Sequence, residues 1–140
     1  MIFKELIHHC KKHPQLIRYK GTVLFVSYDE YKKLANLSSE FGLTYKDVRD
    51  FLKKESMFLD KSFSPNALFG VWEKVNGKLL LINNVDLVLS ALDKKRRIAF
   101  FQSFFKKEFH NLIILPVLIF QDDANQGFEK GYGEIFSLGD

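Results

Sequence analysis

KLLLINNVDLVLS, residues Lys78–Ser90, decides how this chain is read. Leu79 to Ile82 is an unbroken aliphatic run. A run with no polar alternation predicts a strand buried on both faces. Asn83 and Asn84 interrupt it with turn-forming amides. Val85 to Leu89 is hydrophobic again and is read as a continuation of the strand, with Asp86 inside it. A strand covered on both faces belongs in a parallel sheet flanked by helices, so its neighbours must supply that sheet.

They do so on both sides. GTVLFVSY (Gly21–Tyr28) is β-branched and aromatic, and predicts a second buried strand. NLIILPVLIFQ (Asn111–Gln121) predicts a third, broken at Pro116 because proline cannot donate to a ladder. Helical spacing fills the intervals. Ile2, Phe3, Leu6 and Ile7 suit one face of a short helix ending before Pro14. Asp29 is placed to cap a helix carrying Tyr31, Leu34, Ala35 and Ser38, stopped by Gly42. Ala91 to Phe109 is a helix with Ile98, Phe101, Phe104, Phe105 and Phe109 on its apolar face.

Two stretches admit two readings. Leu43 to Val48 is either a short edge strand, or Thr44 caps a helix carrying Val48, Phe51, Leu52 and Met57. FGVWEKVNGKLLLI (Phe69–Ile82) is either a hairpin turning on Asn76-Gly77 or a helix end followed by a strand. Ser64-Pro65 favours the helix, with serine at the cap and proline in the first turn. The resulting order predicts an α/β fold: an open, mostly parallel sheet flanked by helices, with right-handed crossovers. The glycine-rich stretch from Asp122 to Asp140 is either part of this single domain, residues 1–140, or a mobile tail.

Composition narrows the class. A chain of 140 residues with 46% hydrophobic residues, 15 of them Phe, suits one packed domain and excludes a disordered chain. A net charge of +4 suits an acidic partner, DNA included, without forming a strong nucleic-acid signature. The lone Cys10 excludes an intrachain disulfide and favours a reducing compartment. The N-terminus has no continuous apolar segment of signal-peptide length. Leu112 to Phe120 covers about half of a membrane helix. The expectation is a soluble, cytoplasmic protein with no membrane partner.

The chemistry-bearing residues are sparse. A phosphate-binding loop needs G-x-x-x-x-G-K-[ST] between strand and helix, so that backbone amides cradle the phosphates. After Val26 the chain reads SYDEYKKLAN, with no glycine, and with Asp29 and Glu30 where phosphate requires positive potential. The Gly77-Lys78 pair precedes a strand, and Trp72 stands at the place of the first loop glycine. His8, His9, Cys10 and His13 invite a metal reading, since His9 and His13 share a helix face. No second Cys or His pair completes a site, so a solvated helix is expected and no metal. Asp122 and Asp123 follow the last buried strand, but no spacing to Glu129 or Glu134 specifies a metal site.

The helix after Ala91 carries the densest charge: Lys94, Lys95, Arg96 and Arg97, extended by Lys106 and Lys107. These residues form either a sequence-independent phosphate-binding face or a solvated surface. Phe100, Phe101, Phe104 and Phe105 cover adjacent faces of the same helix, more than one sheet face requires. They imply either a docking face for a protein partner or a second copy, or a two-sided core contact.

The second half of the chain, KLLLINNVDLVLS, a long helix, then NLIILPVLIFQ, follows the order of Walker B strand, helix and sensor strand in AAA-type ATPases. LANLSSEFGLTY (Leu34–Tyr45) looks like the helix and second strand after a P-loop. More narrowly, the chain resembles the small P-loop protein of bacteriophage-exclusion (BREX) systems, over roughly residues 20–120. In such proteins the Walker B strand ends in a magnesium-side aspartate. Here the corresponding run is Leu81, Ile82, Asn83, Asn84, Val85, Asp86, Leu87 and Val88, and Asn83 holds that place. An amide carries no charge and coordinates Mg²⁺ poorly. Asn83, Asn84 and Asp86 thus form a degenerate Walker B, and no cofactor is expected. The resemblance implies a non-catalytic adaptor or assembly subunit of a DNA-associated complex in phage defence. The residues alone also suit a small basic nucleic-acid-binding protein without NTPase ancestry. A third reading keeps nucleotide binding without hydrolysis, through an atypical loop at Ser27 to Lys33.

Overall fold

The buried runs become strands of one sheet in the computed structural model, which describes residues 1–12 and 17–139. Among the described residues there are five strands: β1 (Gly21–Phe25), β2 (Thr44–Asp47), β3 (Leu79–Asn83), β4 (Leu112–Val117) and β5 (Glu134–Ser137). Every pairing is parallel and the order is β2-β3-β4-β1-β5. The helices are α1 (Phe3–Lys11), α2 (Tyr28–Tyr31), α3 (Leu34–Glu40), α4 (Val48–Lys54), α5 (Pro65–Glu73), α6 (Val85–Ser90), α7 (Lys94–Lys106) and α8 (Gln121–Gly127). This is an α/β fold, with an open, all-parallel sheet flanked by helices, consistent with a P-loop-like fold. Among the described residues, no helix is long and apolar enough to cross a membrane.

Topology sorts the helices into layers. The connection from β1 to β2 runs one way along the sheet, and those from β2 through β5 run the other. Right-handed crossovers in opposite directions place their helices on opposite faces. The core divides accordingly. Phe3, Leu6, Ile7 and Cys10 of α1 and Leu34 of α3 pack against Leu24, Leu81 and Ile114. Phe51, Phe69, Trp72, Val88, Phe100, Phe104 and Ala124 pack against Val23, Leu80, Ile82, Ile113 and Leu115. Consecutive strand residues enter opposite clusters, as the two-residue period of a strand requires.

The two open readings resolve through capping chemistry. Ser64 Oγ accepts from the Ala67 N–H at 3.4 Å, with Pro65 in the first turn, so α5 forms and the hairpin does not. Gly77 (φ +139) turns the chain into β3, and a Cβ there would meet Thr44 Oγ1 at 2.5 Å. Of the two readings of Leu43–Val48 the edge strand holds; a helix does follow, but it is capped by Asp47, not Thr44, and ends at Lys54, before Met57. Thr44–Asp47 is the edge strand β2, and Asp47 caps α4 by accepting from the Arg49 N–H at 2.9 Å.

Two expectations about the strands are corrected. Val85–Ser90 is helix α6 and does not continue the strand. Asn84 adopts a left-handed turn (φ 67, ψ 27), which asparagine tolerates, and this ends β3. Pro116 does not break β4 either: it pairs with Leu24 inside the strand. The Leu112 N–H donates to Lys78 O beside β3, and the Ile113 N–H donates to Lys20 O beside β1. By that alternation the missing Pro116 N–H would face β3, where the ladder has already ended at Leu81 and Ile114. The glycine-rich end, left open above, is ordered over its described residues. It supplies α8 and β5, β5 pairs with β1, and the Gly139 N–H donates to Met1 O. The ends of the predicted α7 also contract, because Asp93 caps the helix through the Arg96 N–H at 2.9 Å. His13 and Pro14 lie outside the described residues.

Candidate functional site

Parallel sheets bind ligands at the carboxyl ends of neighbouring strands whose connections leave on opposite faces. Here those neighbours are β1 and β4. The crevice between them is occupied by the chain itself. On the β1 side only Val26 and Ser27 separate the strand from α2. Ser27 Oγ accepts from the Glu30 N–H at 3.3 Å, and Glu30 Oε1 accepts from the Ser27 N–H at 2.8 Å. This reciprocal capping box consumes backbone donors that a phosphate loop would offer.

On the β4 side, Asp86 reaches across from α6. Its carboxylate accepts from the backbone N–H groups of Leu118 (2.9 Å), Ile119 (3.1 Å) and Phe120 (3.4 Å). The early end of the β3–β4 ladder coincides with this bridge, since Asp86 takes up donors just past Pro116. Gln121 closes the gap to β1. Its Nε2 donates to Val26 O at 3.3 Å, Val117 O at 3.1 Å and Leu118 O at 3.4 Å. A cavity of about 260 Å³ remains beside it, bordered by Ser27, Glu30, Gln121 and Ser137, with a carboxylate and no lysine or arginine in its lining.

Asn83, at the Walker B position of the resemblance, is buried at 3% exposure. Its Nδ2 donates to Tyr45 Oη at 3.0 Å, while Oδ1 has no hydrogen-bond partner among the described residues. Asn84 Nδ2 donates to the Asp47 carboxylate. Asp47 also accepts from Arg49 Nε (3.0 Å) and Nη2 (2.7 Å), a bidentate pair. Burial pushes the Asp47 carboxyl up, but the hydrogen bonds from Arg49 and Asn84 outweigh it and hold the group below its usual range. The Tyr31 phenol is pushed up by partial burial, with Tyr45, Asp47 and Asp86 adding to it. Asp47 and Arg49 were missed as a site pair. The one signal for them was an Asp two residues before an Arg at a helix start.

Comparison with family models, curated proteins and solved structures found no match to this chain.

The basic residues do not form one free patch. Arg97 is mostly buried. Its Nε bonds the buried Asp123 carboxylate at 2.6 Å, its Nη1 donates to Leu92 O at 2.7 Å, and its guanidinium lies 4.5 Å from the Phe120 ring centre. Lys106 pairs with Glu129 at 2.8 Å and Lys107 with Glu73 at 3.4 Å. Arg96 Nη2 contacts Phe63 O at 3.4 Å. Lys94 and Lys95 are exposed without an ion pair among the described residues. The phenylalanines require a correction. Phe100, Phe101, Phe104 and Phe105 are all buried, none above 1% exposure, in the cluster that α5, α7 and the sheet share. They are a two-sided core contact, and none is presented to a partner.

The histidine helix is likewise tied inward and along the surface. His9 Nε2 lies 2.9 Å from Glu134 Oε2 and its ring meets Phe136 edge-on. Cys10 is buried, and burial together with the Glu134 charge pushes its thiol up to about 12. Among the described residues, no group of three His, Cys, Asp or Glu side chains is placed to hold a metal ion. Asp122 is exposed and has no side-chain hydrogen bond or ion pair among the described residues, while Asp123 serves Arg97.

Proposed function

We propose that this domain is a non-catalytic assembly or adaptor subunit of a DNA-associated complex, built on a P-loop-like sheet without a working nucleotide site. One observation carries the reading: two residues, Val26 and Ser27, connect β1 to α2 where a phosphate-cradling loop needs eight. The capping box of Ser27 and Glu30, the Asp86 bridge and the Gln121 plug agree with it, because each spends a donor or a space that a triphosphate would use. The resemblance to the small P-loop protein of bacteriophage-exclusion systems supplies the setting in phage defence.

DNA contact, on this reading, is a weak, sequence-independent attraction through Lys94 and Lys95. Its test is fluorescence anisotropy with labelled duplex DNA over a salt series. The expected result is affinity that falls with salt, with the slope reduced by about 2 when Lys94 and Lys95 are both changed to alanine. Affinity unchanged by that double substitution removes DNA contact from the proposal, and ATP turnover by the purified chain overturns the non-catalytic reading.

A further inference from the structure

The sheet has an open edge with chemistry beside it. β2 stands at the end of the strand order and pairs with β3 alone. Among the described residues, no backbone group of another element bonds Thr44–Asp47 on the side away from β3. An edge strand with free N–H and C=O groups is a template for one more strand. Adjoining β2 is a groove of about 410 Å³. Thr44 and Lys46 of β2 line it, with α4 and the end of α5 as its other walls. Phe51, Val71 and Val75 give it an apolar floor.

Its rim is charged and lopsided. Lys46, Lys54 and Lys74 line the groove against Asp50 and Glu55, and all five side chains are exposed. None of the three lysines forms an ion pair among the described residues, whereas Lys106 and Lys107 of α7 both do. An exposed lysine on an edge strand disfavours pairing with a second copy of the same strand. The same charge attracts a carboxylate-bearing strand.

We infer that β2 and its groove receive an extended, acidic segment of a partner protein, which adds to the sheet as a sixth strand. Main-chain hydrogen bonds to Thr44–Asp47 hold it in register. The side chains on the strand face toward α4 and α5, every second residue, make the groove contacts: apolar ones settle over Phe51, Val71 and Val75, and acidic ones meet Lys46, Lys54 and Lys74. This mode of recognition takes affinity from the backbone and specificity from alternate side chains. The inference gives a chemistry to the partner that the assembly reading requires, and the two fail separately, because nucleotide turnover bears only on the latter.

The probe is a fluorescein-labelled extended peptide with Glu and Val in turn at every second residue and Thr between them, so that one strand face carries both, titrated with the full chain and followed by anisotropy. Saturable binding is expected, weakened about tenfold by Lys54→Glu with Lys74→Glu. A peptide N-methylated at alternate residues retains its charge but loses its strand donors, and is expected not to bind. Amide shifts in the labelled protein should centre on Thr44–Asp47. The inference is overturned by absence of saturable binding, by equal binding of the methylated peptide, or by shifts centred elsewhere. Circular dichroism of the double variant confirms that loss of binding is not loss of fold, and if the variant unfolds, the methylated peptide and the shift map decide alone.

Discussion

Asp86 shows how a residue can carry an acidic identity without acidic chemistry. Its carboxylate spends its lone pairs on three consecutive backbone donors past β4, and so it holds the β4–α8 loop to α6. Asp86→Ala leaves those donors without their acceptor. A loss of about 2 kcal/mol in unfolding free energy is expected, read as a lower urea midpoint with an unchanged slope. A catalytic or metal-holding Asp86 would instead leave stability unchanged or raised on substitution. Cys10 permits a prediction in pH. Its thiol keeps its proton in the folded chain up to about 12, while an unfolded thiol ionises near 9.0. The stability contributed by the protonated thiol is therefore complete below pH 9.0 and is lost as pH rises toward 12. Wild type should lose more stability than Cys10→Ala over that interval, and equal losses would count against the assignment. Neither role was legible in the sequence. The carboxylate's partners lie 32 to 34 residues away, and Cys10 owes its shift to a burial that only the folded α1 creates.

Helix α7 was legible as a helix and misread as a surface. The positions of its phenylalanines give the correct buried set, but the sequence could not say that α5 closes over one side and the sheet over the other. Its charges were misjudged for the same reason. In the sequence, Asp93 and Glu108 are the acids that bracket this helix, whereas Asp123, Glu129 and Glu73 arrive from other elements. The Arg97–Asp123 pair, with side chains 19% and 7% exposed, ties α7 to α8. Removing one partner of such a pair strands the other, so Asp123→Ala should cost about 3 kcal/mol in denaturant unfolding. Arg97→Met with Asp123→Leu should recover most of it. A cost for Asp123→Ala within about 0.5 kcal/mol of zero would place the pair in solvent. Pro116 and Asn84 are the other two places where element ends were missed. In both, the deciding fact is a neighbour's register or a positive φ, and a linear pattern contains neither.

At the scale of the whole molecule, the sheet was the most legible feature. Continuous aliphatic runs at Leu79 and Leu112 and the β-branched run at Thr22 could be satisfied only by a sheet covered on both faces, and all three are interior strands. The order of the strands was not legible, because adjacency of β1 with β4 and β5 depends on crossovers the sequence does not encode locally. That order creates the crevice between β1 and β4, and the short β1–α2 connection, Asp86 and Gln121 close it. The absence of a glycine-rich loop was visible from SYDEYKKLAN alone, but the means of closure was not. The central claim is that this crevice, its backbone donors spent and its remaining cavity lined by the Glu30 carboxylate, does not bind a triphosphate. Isothermal titration of the full chain with ATP and Mg²⁺ tests it most directly. The account predicts heats of dilution only, with no saturable isotherm up to millimolar nucleotide (about 1 mM, a binding energy near −4 kcal/mol). A saturable isotherm in the micromolar range, abolished by substitutions at Ser27 or Lys33, would contradict it.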